Sequence, residues 1–151
     1  QDLPKTSFKA ENTQSPEENW RILIVEDDER LAALTKDYLE SNGLIVTVEG
    51  DGSRAIDRIK SEQPDLVVLD VDLSDGQAGA AVRAIKSACG KARILALSSC
   101  GEPSLIEAVV REGATGLLLK DSSPDELLNG IRSVAAGIAS TFNSARSVVP
   151  K

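Results

Sequence analysis

Short apolar runs alternate with amphipathic stretches five times along this chain, and this alternation is the feature that most restricts its fold. The runs occupy residues 22–25, 44–48, 66–69, 94–97 and 116–119. Between them, apolar side chains recur at helical spacing, as Leu31, Leu34, Tyr38 and Leu39 do after the first run. Strands that alternate with helices are joined by right-handed crossovers, which give a parallel sheet covered on both faces. The sequence therefore predicts a doubly wound α/β domain with a five-stranded parallel sheet.

Turn and capping residues set the expected limits of the helices. Gly76 and Gly79 are predicted to lie in a loop before the third helix. Pro103 suits the first turn of the fourth helix, where a missing N–H costs nothing. Ser123, three residues before Glu126, predicts a capping box at the start of the fifth helix.

The 151 residues are predicted to form one domain with a segment on either side. Residues 1–19 are polar, carry two prolines and show neither a helical nor a strand period, so we expect a disordered extension or linker. Residues 20–137 form the predicted domain, and residues 138–151 a C-terminal tail or truncated linker. With 41% hydrophobic and 27% charged residues, the composition is globular, which excludes a fully disordered chain.

Charge, hydropathy and missing residue types exclude several functions. The 17 basic and 24 acidic residues give a net charge of −7, which argues against direct nucleic-acid binding by this segment. No apolar run approaches the roughly 20 residues that span a membrane, so we expect no membrane segment. The absence of histidine removes mechanisms in which this chain supplies an imidazole. The two cysteines fit no disulfide framework and are expected to be reduced thiols of a cytoplasmic protein.

Acidic side chains follow two of the predicted strands where each strand ends. Ligands of doubly wound sheets bind beyond these carboxyl ends, where the strand order reverses. If the order is 2-1-3-4-5, the first and third strands are neighbours, and Glu26, Asp27 and Asp70 lie close together. Three carboxylates so close repel one another unless a cation neutralises them, and Mg²⁺ does so while leaving room for a phosphate oxygen. Asp28, by contrast, is interpreted as the cap of the first helix.

A cation and a hydroxyl complete the predicted site. Lys120 follows the fifth strand and Ser98 the fourth, while Asp72 lies two residues beyond Asp70. A carboxylate nucleophile beside a metal ion, a lysine and a hydroxyl is equipped to accept a phosphoryl group, whose transition state spreads negative charge over its equatorial oxygens. The missing imidazole is no obstacle, because a phosphoryl donor can supply its own.

Motifs at four strand ends, taken in order, resemble those of a known family. Through ILIVEDD, DLVVLD, ALS and LLLK, the chain from Arg21 to Gly137 resembles the receiver domain of response regulators, which has the flavodoxin/CheY-like fold. The segment LLLKDSSPDELLNGIRSVAAG resembles receivers of the NarL/FixJ type in particular. The resemblance implies two-component signalling and a phosphoacceptor that is not an enzyme in its own right.

The resemblance also implies a role for each residue at a matching position. Asp70 corresponds to the phosphoryl acceptor, and Lys120 to the lysine that pairs with the phosphoryl group. Ser98 corresponds to the switch hydroxyl that binds a phosphoryl oxygen. The position of Asp72 is one at which family members tune the lifetime of the phosphoryl group. The implied Mg²⁺ ligands are Glu26, Asp27, Asp70 and the backbone carbonyl of Asp72.

The family further implies partners and a location. The phosphoryl donor is expected to be a sensor histidine kinase or a phosphotransfer protein, and the location is expected to be the cytoplasm. Homodimers are an assembly that receivers commonly form. Relatives of the NarL/FixJ type carry a helix-turn-helix domain after the receiver, but residues 138–151 are too few for that fold.

Departures from the family pattern keep a second function open. Leu117 stands at the position of the switch aromatic residue, Ala78 where a loop glycine is expected, and Ser74 where proline is usual. Leu117 and Ala78 favour a pseudo-receiver, an interaction module that keeps the fold without being phosphorylated. The acid pair, the acceptor, the hydroxyl and the lysine favour an active receiver.

A third interpretation is an enzyme, because Asp70 and Asp72 form the D-x-D motif of haloacid-dehalogenase-type phosphatases. Such a phosphatase requires a further acidic pair downstream of the lysine. The acids that follow Lys120 all lie at the opening of the last predicted helix: Asp121, Asp125 and Glu126.

Overall fold

The computed structural model describes residues 19–74 and 76–137, so the predicted extension up to residue 18 and the tail at 138–151 lie outside the described residues. The strands are β1 (Arg21–Val25), β2 (Ile45–Glu49), β3 (Leu66–Asp70), β4 (Arg93–Ser98) and β5 (Gly116–Leu119). The helices are α1 (Glu29–Glu40), α2 (Gly52–Glu62), α3 (Ala78–Ala88), α4 (Pro103–Arg111) and α5 (Pro124–Ala135). A short 3-10 helix, Val71–Ser74, follows β3. Within the described part, every helix is too short or too polar to cross a bilayer.

All five strands are parallel and lie in the order β2-β1-β3-β4-β5, which confirms the predicted fold class and strand order. The central strand β3 is buried along its whole length, as its uninterrupted apolar sequence predicts. Because β1 and β4 flank it, the residues that follow these three strands are brought to the same part of the sheet edge.

Each face of the sheet carries its own apolar core, because side chains alternate between the two faces along a strand. Leu23 and Val67 point to the face covered by α2, α3 and α4, where they pack with Ile59, Val82 and Val109. The opposite face is covered by α1 and α5, and its buried residues include Ile22, Val68, Leu39, Leu128 and Ile131. The sheet is therefore held rigidly between two helical layers.

The predicted caps of two helices are confirmed. The side chain of Asp28 accepts a hydrogen bond from the backbone N–H of Leu31 at 3.1 Å and caps α1. Ser123 and Glu126 form a reciprocal capping box at the start of α5. These contacts satisfy N–H groups that would otherwise lack partners in the first turn of each helix.

The prediction for Gly79 was wrong, because α3 begins at Ala78 and Gly79 lies in its first turn rather than in a loop. A Cβ at this position would lie 3.4 Å from Cγ of Glu112 and 3.6 Å from the backbone oxygen of Ala108. The glycine therefore serves the close approach of α3 to α4. Gly76, with a φ of +83°, has the left-handed backbone that the loop prediction requires.

We expect Leu95→Ala to lower the free energy of unfolding by about 2–5 kcal/mol, because it leaves a cavity in a core where this side chain is fully buried. Leu34→Ala is the matched control, since Leu34 is 61% exposed, and its effect should stay within about 0.5 kcal/mol. Urea unfolding of the two variants measures the difference. Equal losses of stability would show that the packing of this face is misassigned.

Candidate functional site

The carboxyl ends of β1 and β3 bring together the acidic residues that the sequence placed there. Val25 and Leu69 are partners in the sheet, so the residues that follow them, Glu26 and Asp70, are neighbours. One carboxylate oxygen from each of Glu26, Asp27 and Asp70 lies within 4.8 Å of the others. The predicted convergence of the three acids is therefore confirmed.

Asp70 is 1% exposed, and each of its carboxylate oxygens accepts a hydrogen bond. Its Oδ2 accepts a hydrogen bond from the Lys120 ammonium at 2.8 Å, and its Oδ1 accepts one from the backbone N–H of Asp72 at 2.9 Å. The backbone N–H of Lys120 in turn donates to the carbonyl of Ser98 at 2.8 Å. The lysine therefore reaches across the end of β4 to Asp70 from an anchored backbone.

Glu26 is 2% exposed, and its two oxygens have different surroundings. Oε2 accepts from the backbone N–H of Asp28 at 3.0 Å, whereas Oε1 lies 3.5 Å from the Lys120 ammonium and has no hydrogen-bond partner among the described residues. Burial raises the pKa of Glu26, and the negative charge of Asp70 acts in the same direction. The hydrogen bond from the Asp28 N–H and the charge of Lys120 act to lower this pKa but do not outweigh burial. The neutral form of this carboxyl is therefore favoured more than in water.

The Lys120 ammonium forms ion pairs with two carboxylates, those of Asp70 and Glu26. Burial acts to lower its pKa, but the hydrogen bond and charge of Asp70, aided by the charges of Glu26 and Asp72, outweigh burial and raise the pKa above its ordinary value. The ammonium is therefore charged at neutral pH. One ammonium cannot balance three carboxylates, so the site has an excess of negative charge.

The donor set at this edge fits a hard divalent cation. Mg²⁺ prefers oxygen ligands and is commonly held by a few carboxylates together with water and phosphate oxygens. The three carboxylate oxygens within 4.8 Å supply such ligands, and the buried, unpartnered Oε1 of Glu26 is the kind of atom that a cation would satisfy. The arrangement therefore supports the predicted metal position at Glu26, Asp27 and Asp70.

Ser98 and Asp72 form hydrogen bonds that the sequence did not predict. The buried hydroxyl of Ser98 donates to the backbone carbonyl of Cys100 at 2.7 Å and accepts from the N–H of Cys100 at 3.1 Å. The exposed carboxylate of Asp72 accepts from the backbone N–H of Ser99 at 3.2 Å. The hydroxyl thus lies at the predicted strand end but is bonded to its own loop.

Sequence reasoning missed Glu49, an acid at the end of β2 and therefore on the same sheet edge. Its backbone carbonyl accepts from the N–H of Glu26 at 3.1 Å. Its buried carboxylate accepts from the N–H of Asp51 at 2.9 Å and from Arg58 at 3.1 Å. The Asp51 N–H and Arg58 lower the pKa of Glu49 despite its burial. Glu49 therefore closes the turn after β2, and a search of every strand end for acids would have found it.

Two of the acidic residues that could serve a phosphatase downstream of Lys120 are engaged in other contacts. The carboxylate of Asp125 accepts from the Tyr38 hydroxyl, and Glu126 belongs to the capping box of α5. Asp125 and Glu126 therefore make contacts of α5 rather than supplying an acidic pair at the site. Leu117, at the position of the switch aromatic, is fully buried beside Ala96 of β4.

Comparison with known proteins gives a consistent result. Residues 22–132 match the model of the family described as the response regulator receiver domain. The chain is 32% identical over 112 residues to the chemotaxis protein CheY of Bacillus subtilis, covering 74% of this chain and 93% of that one. It is 31% identical over 118 residues to the transcriptional regulatory protein DesR of the same species, covering 77% of this chain and 58% of DesR. The chain therefore spans nearly all of CheY but little more than half of the transcriptional regulator.

Two solved structures extend the likeness to three dimensions. A two-component response regulator of the LuxR family from Aurantimonas sp. SI85-9A1 superposes with a TM-score of 0.77 at 26% identity, covering 86% of this chain and 94% of that one. The signal receiver domain of the response regulator NarL from Mycobacterium tuberculosis gives a TM-score of 0.71 at 28% identity, covering 80% and 98%. Both solved structures therefore share the fold of this chain.

We expect Glu26→Gln to raise the free energy of unfolding at neutral pH in metal-free buffer. Glutamine still accepts the Asp28 N–H but carries no charge into the buried site. The raised folded-state pKa of Glu26 means that the wild type loses stability as the pH rises above the unfolded value of 4.5, whereas the variant does not. Below that pH both side chains are neutral and the difference should vanish. Urea unfolding over a pH series measures it.

Glu49→Gln is the matched control on the neighbouring strand, and its effect should have the opposite sign. The pKa of Glu49 is lowered in the folded domain, so its charged form stabilises the fold at neutral pH, and this contribution is lost as the pH falls through the folded-state pKa. If Glu26→Gln also proved destabilising at neutral pH, the assignment of Glu26 as a poorly compensated charge would be wrong.

Proposed function

The chain belongs to the response regulator receiver domain family, and from that premise we propose that Asp70 accepts a phosphoryl group in a Mg²⁺-dependent reaction. Receiver domains of two-component systems are signalling phosphoacceptors and are generally not enzymes. The observation that carries the proposal is the 2.8 Å pair between Lys120 and Asp70, beside the acidic pair of Glu26 and Asp27. It is the arrangement that a carboxylate nucleophile needs to receive a negatively charged group.

In the proposed reaction a carboxylate oxygen of Asp70 attacks the phosphorus of a phosphohistidine on the donor protein. A P–O bond forms, the P–N bond breaks, and the electron pair of that bond returns to the donor imidazole. The chain itself contains no histidine, so the donor must supply the imidazole. Hydrolysis of the resulting acyl phosphate consumes a water molecule, releases phosphate and restores the Asp70 carboxylate.

Positioning and charge are the chain's own contributions. The Asp72 N–H and the Lys120 ammonium orient the Asp70 carboxylate. The same ammonium lies where it can pair with the oxygens of the incoming phosphoryl group. Ser98 at the end of β4 is proposed as the hydroxyl that binds a phosphoryl oxygen once it leaves its contacts with Cys100.

Mg²⁺ would be held by Glu26, Asp27, Asp70 and the backbone carbonyl of Asp72. When bound, it supplies positive charge that neutralises both the crowded carboxylates and the phosphoryl oxygens. The proposal is supported by the three oxygens that lie within 4.8 Å and by the unpartnered Oε1 of Glu26.

A sensor histidine kinase or a phosphotransfer protein is the proposed partner, as members of this family interact with such proteins. We place the domain in the cytoplasm, with a homodimer as its proposed assembly. The net charge of −7 supports a role in which this segment itself does not bind nucleic acid, although relatives such as DesR are transcriptional regulators.

Incubation with a small phosphoryl donor and Mg²⁺ should add one phosphoryl group to the domain, as measured by mass spectrometry of the intact protein. Asp70→Asn should abolish the gain, because an amide oxygen is a far weaker nucleophile than a carboxylate. Asp57→Asn is the matched control, since it makes the same change on the exposed side of α2 and should leave uptake intact. No uptake by the wild type would refute the proposal and favour the pseudo-receiver.

Asp27→Asn should raise the Mg²⁺ concentration needed for half-maximal phosphorylation several-fold, because it removes one charged oxygen ligand from the proposed metal site. Asp28→Asn provides a control that removes the same charge one residue along the chain, and asparagine caps a helix as well as aspartate does. The Mg²⁺ dependence of the initial phosphorylation rate separates the two variants. Equal shifts for both would indicate a general charge effect and no ligand at Asp27.

A further inference from the structure

A pocket of about 270 Å³ lies between α1 and the start of α5, on the face of the sheet that these two helices cover. Most of its wall is apolar, and the lining residues include Leu31 of α1, Leu127 of α5 and Ile24 of β1. Leu34 also lines the pocket and is 61% exposed, so the pocket opens to solvent beside α1. We call this space the α1–α5 pocket.

The volume of the α1–α5 pocket limits the size of a ligand that it can hold. An apolar protein cavity of about 150 Å³ holds one benzene molecule. The larger volume here therefore has room for an aromatic ring with a short chain attached. Drug-sized ligands occupy pockets of about 300–1,000 Å³, so a molecule of roughly ten non-hydrogen atoms is the size that fits.

Glu26 and Lys120 are the charged residues in the wall of the α1–α5 pocket. Ile24 of β1 and Leu118 of β5 belong to the core beneath α1 and α5, and side chains two residues apart along a strand point to the same face. The same alternation directs Glu26 and Lys120 toward the pocket. Oε1 of Glu26 is buried and has no hydrogen-bond partner among the described residues. The pocket therefore has an unsatisfied carboxylate oxygen at its charged end.

Two hydroxyl groups in the wall already form hydrogen bonds. The Thr35 hydroxyl donates to the Leu31 carbonyl at 2.8 Å, and the Ser123 hydroxyl oxygen accepts from the Glu126 N–H at 3.2 Å. A buried acceptor without a partner disfavours the empty state, and a ligand that brings a donor removes this penalty. The polar group of a ligand is therefore directed to Glu26.

The charges around Glu26 favour a donor that is a cation. The Lys120 ammonium lies closer to Asp70, at 2.8 Å, than to Glu26, at 3.5 Å. Glu26, Asp27 and Asp70 set three carboxylates against that single ammonium. A second ammonium reduces the excess of negative charge, and its hydrogen bond to a carboxylate is stronger than one between neutral groups. An anionic ligand meets repulsion at the same place.

We propose that the α1–α5 pocket binds a small organic cation, an aromatic group that carries a primary ammonium on a short chain. The ammonium donates to Oε1 of Glu26, and the aromatic group packs against Leu31 and Leu127. This binding goes beyond the proposed phosphorylation and does not depend on it. Its effect on the metal rests on the proposed function, because Glu26 is also a proposed Mg²⁺ ligand.

The organic cation and Mg²⁺ compete for the same carboxylate. Oε2 of Glu26 already accepts from the Asp28 N–H at 3.0 Å, which leaves Oε1 for either cation. A competitor present at about five times its dissociation constant raises the apparent dissociation constant of the other ligand about sixfold. The α1–α5 pocket thereby makes the Mg²⁺ requirement of Asp70 depend on a small organic cation.

2-Phenylethylamine tests the binding, because it joins a benzene ring to a primary ammonium and has the expected size. Titration at constant pH in metal-free buffer should shift the backbone amide NMR signals of Leu31, Thr35 and Leu127, with a dissociation constant of about 1 mM or below. 2-Phenylethanol, its neutral counterpart, should bind roughly tenfold more weakly. Equal affinities would overturn the choice of a cation. An absence of shifts in the pocket at roughly ten times that amine concentration would overturn the site.

Glu26→Gln should weaken binding of the amine by about tenfold and leave binding of 2-phenylethanol unchanged, because it removes the charge and keeps the shape of the side chain. Glu49→Gln is the matched control, since Glu49 is a buried acid at the end of the adjacent strand and is not one of the residues that line the pocket. Its affinity for the amine should equal that of the wild type. Equal losses in the two variants, or none in Glu26→Gln, would overturn the contact with Glu26.

A Mg²⁺ titration without a phosphoryl donor separates the pocket from the proposed function. The amide signal of Asp27 reports metal binding, and its midpoint should rise about sixfold when the amine is present at about five times its dissociation constant. An unchanged midpoint, with both ligands bound, would overturn the competition. Failure of Mg²⁺ to bind in the absence of the amine would overturn the proposed metal site, whereas the amine titration alone decides the pocket.

Discussion

Crowding of three carboxylates around one ammonium is the constraint on which the rest of this domain depends. Glu26 and Asp70 are almost fully buried, and both rely on Lys120, at 3.5 and 2.8 Å. Buried charges disfavour folding unless they are paired and hydrogen-bonded, so the two apolar cores must offset an imbalance that the site itself creates. A site arranged in this way favours any ligand that brings positive charge, and a divalent cation meets that demand.

Glu26 and Glu49 illustrate how local partners decide whether a buried acid is structural or reactive. Glu26 directly follows β1, and Glu49 ends the adjacent strand β2. The backbone N–H of Glu26 donates a hydrogen bond to the carbonyl of Glu49. Glu49 has the Asp51 N–H and Arg58, and its pKa is lowered, whereas the pKa of Glu26 is raised by burial and one of its oxygens lacks a hydrogen-bond partner. The satisfied acid closes the β2–α2 turn, and the unsatisfied one faces the proposed metal. The difference lies in the partners and not in the residue type.

The sequence predicted the sheet and the convergence of acids because both follow from strand order. Because Val25 of β1 pairs with Leu69 of β3, the register of the two strands fixes the residues that follow them next to each other at the sheet edge. The bonding of Ser98 was not predictable, because a serine in a loop can turn its hydroxyl to several backbone groups and the choice depends on the loop conformation. Gly79 was misjudged for a related reason, since its small size is required by the neighbouring helix α4 and by nothing in its local sequence.

The parts of the site therefore differ in rigidity, and the difference suits their tasks. Asp70 lies at the buried end of β3, and Lys120 directly follows β5 with its backbone N–H bonded to the carbonyl of Ser98. The Ser98–Cys100 turn is held by a few hydrogen bonds, and the one from Ser99 reaches an exposed carboxylate. Bonds of that kind contribute little net stability and break at small cost. Chemistry at the acceptor needs fixed geometry, whereas a relay needs an element with two arrangements of similar energy. Leu117, fully buried in the core, belongs to the fixed surroundings of the site, whereas the Ser98–Cys100 turn belongs to the part held by few contacts.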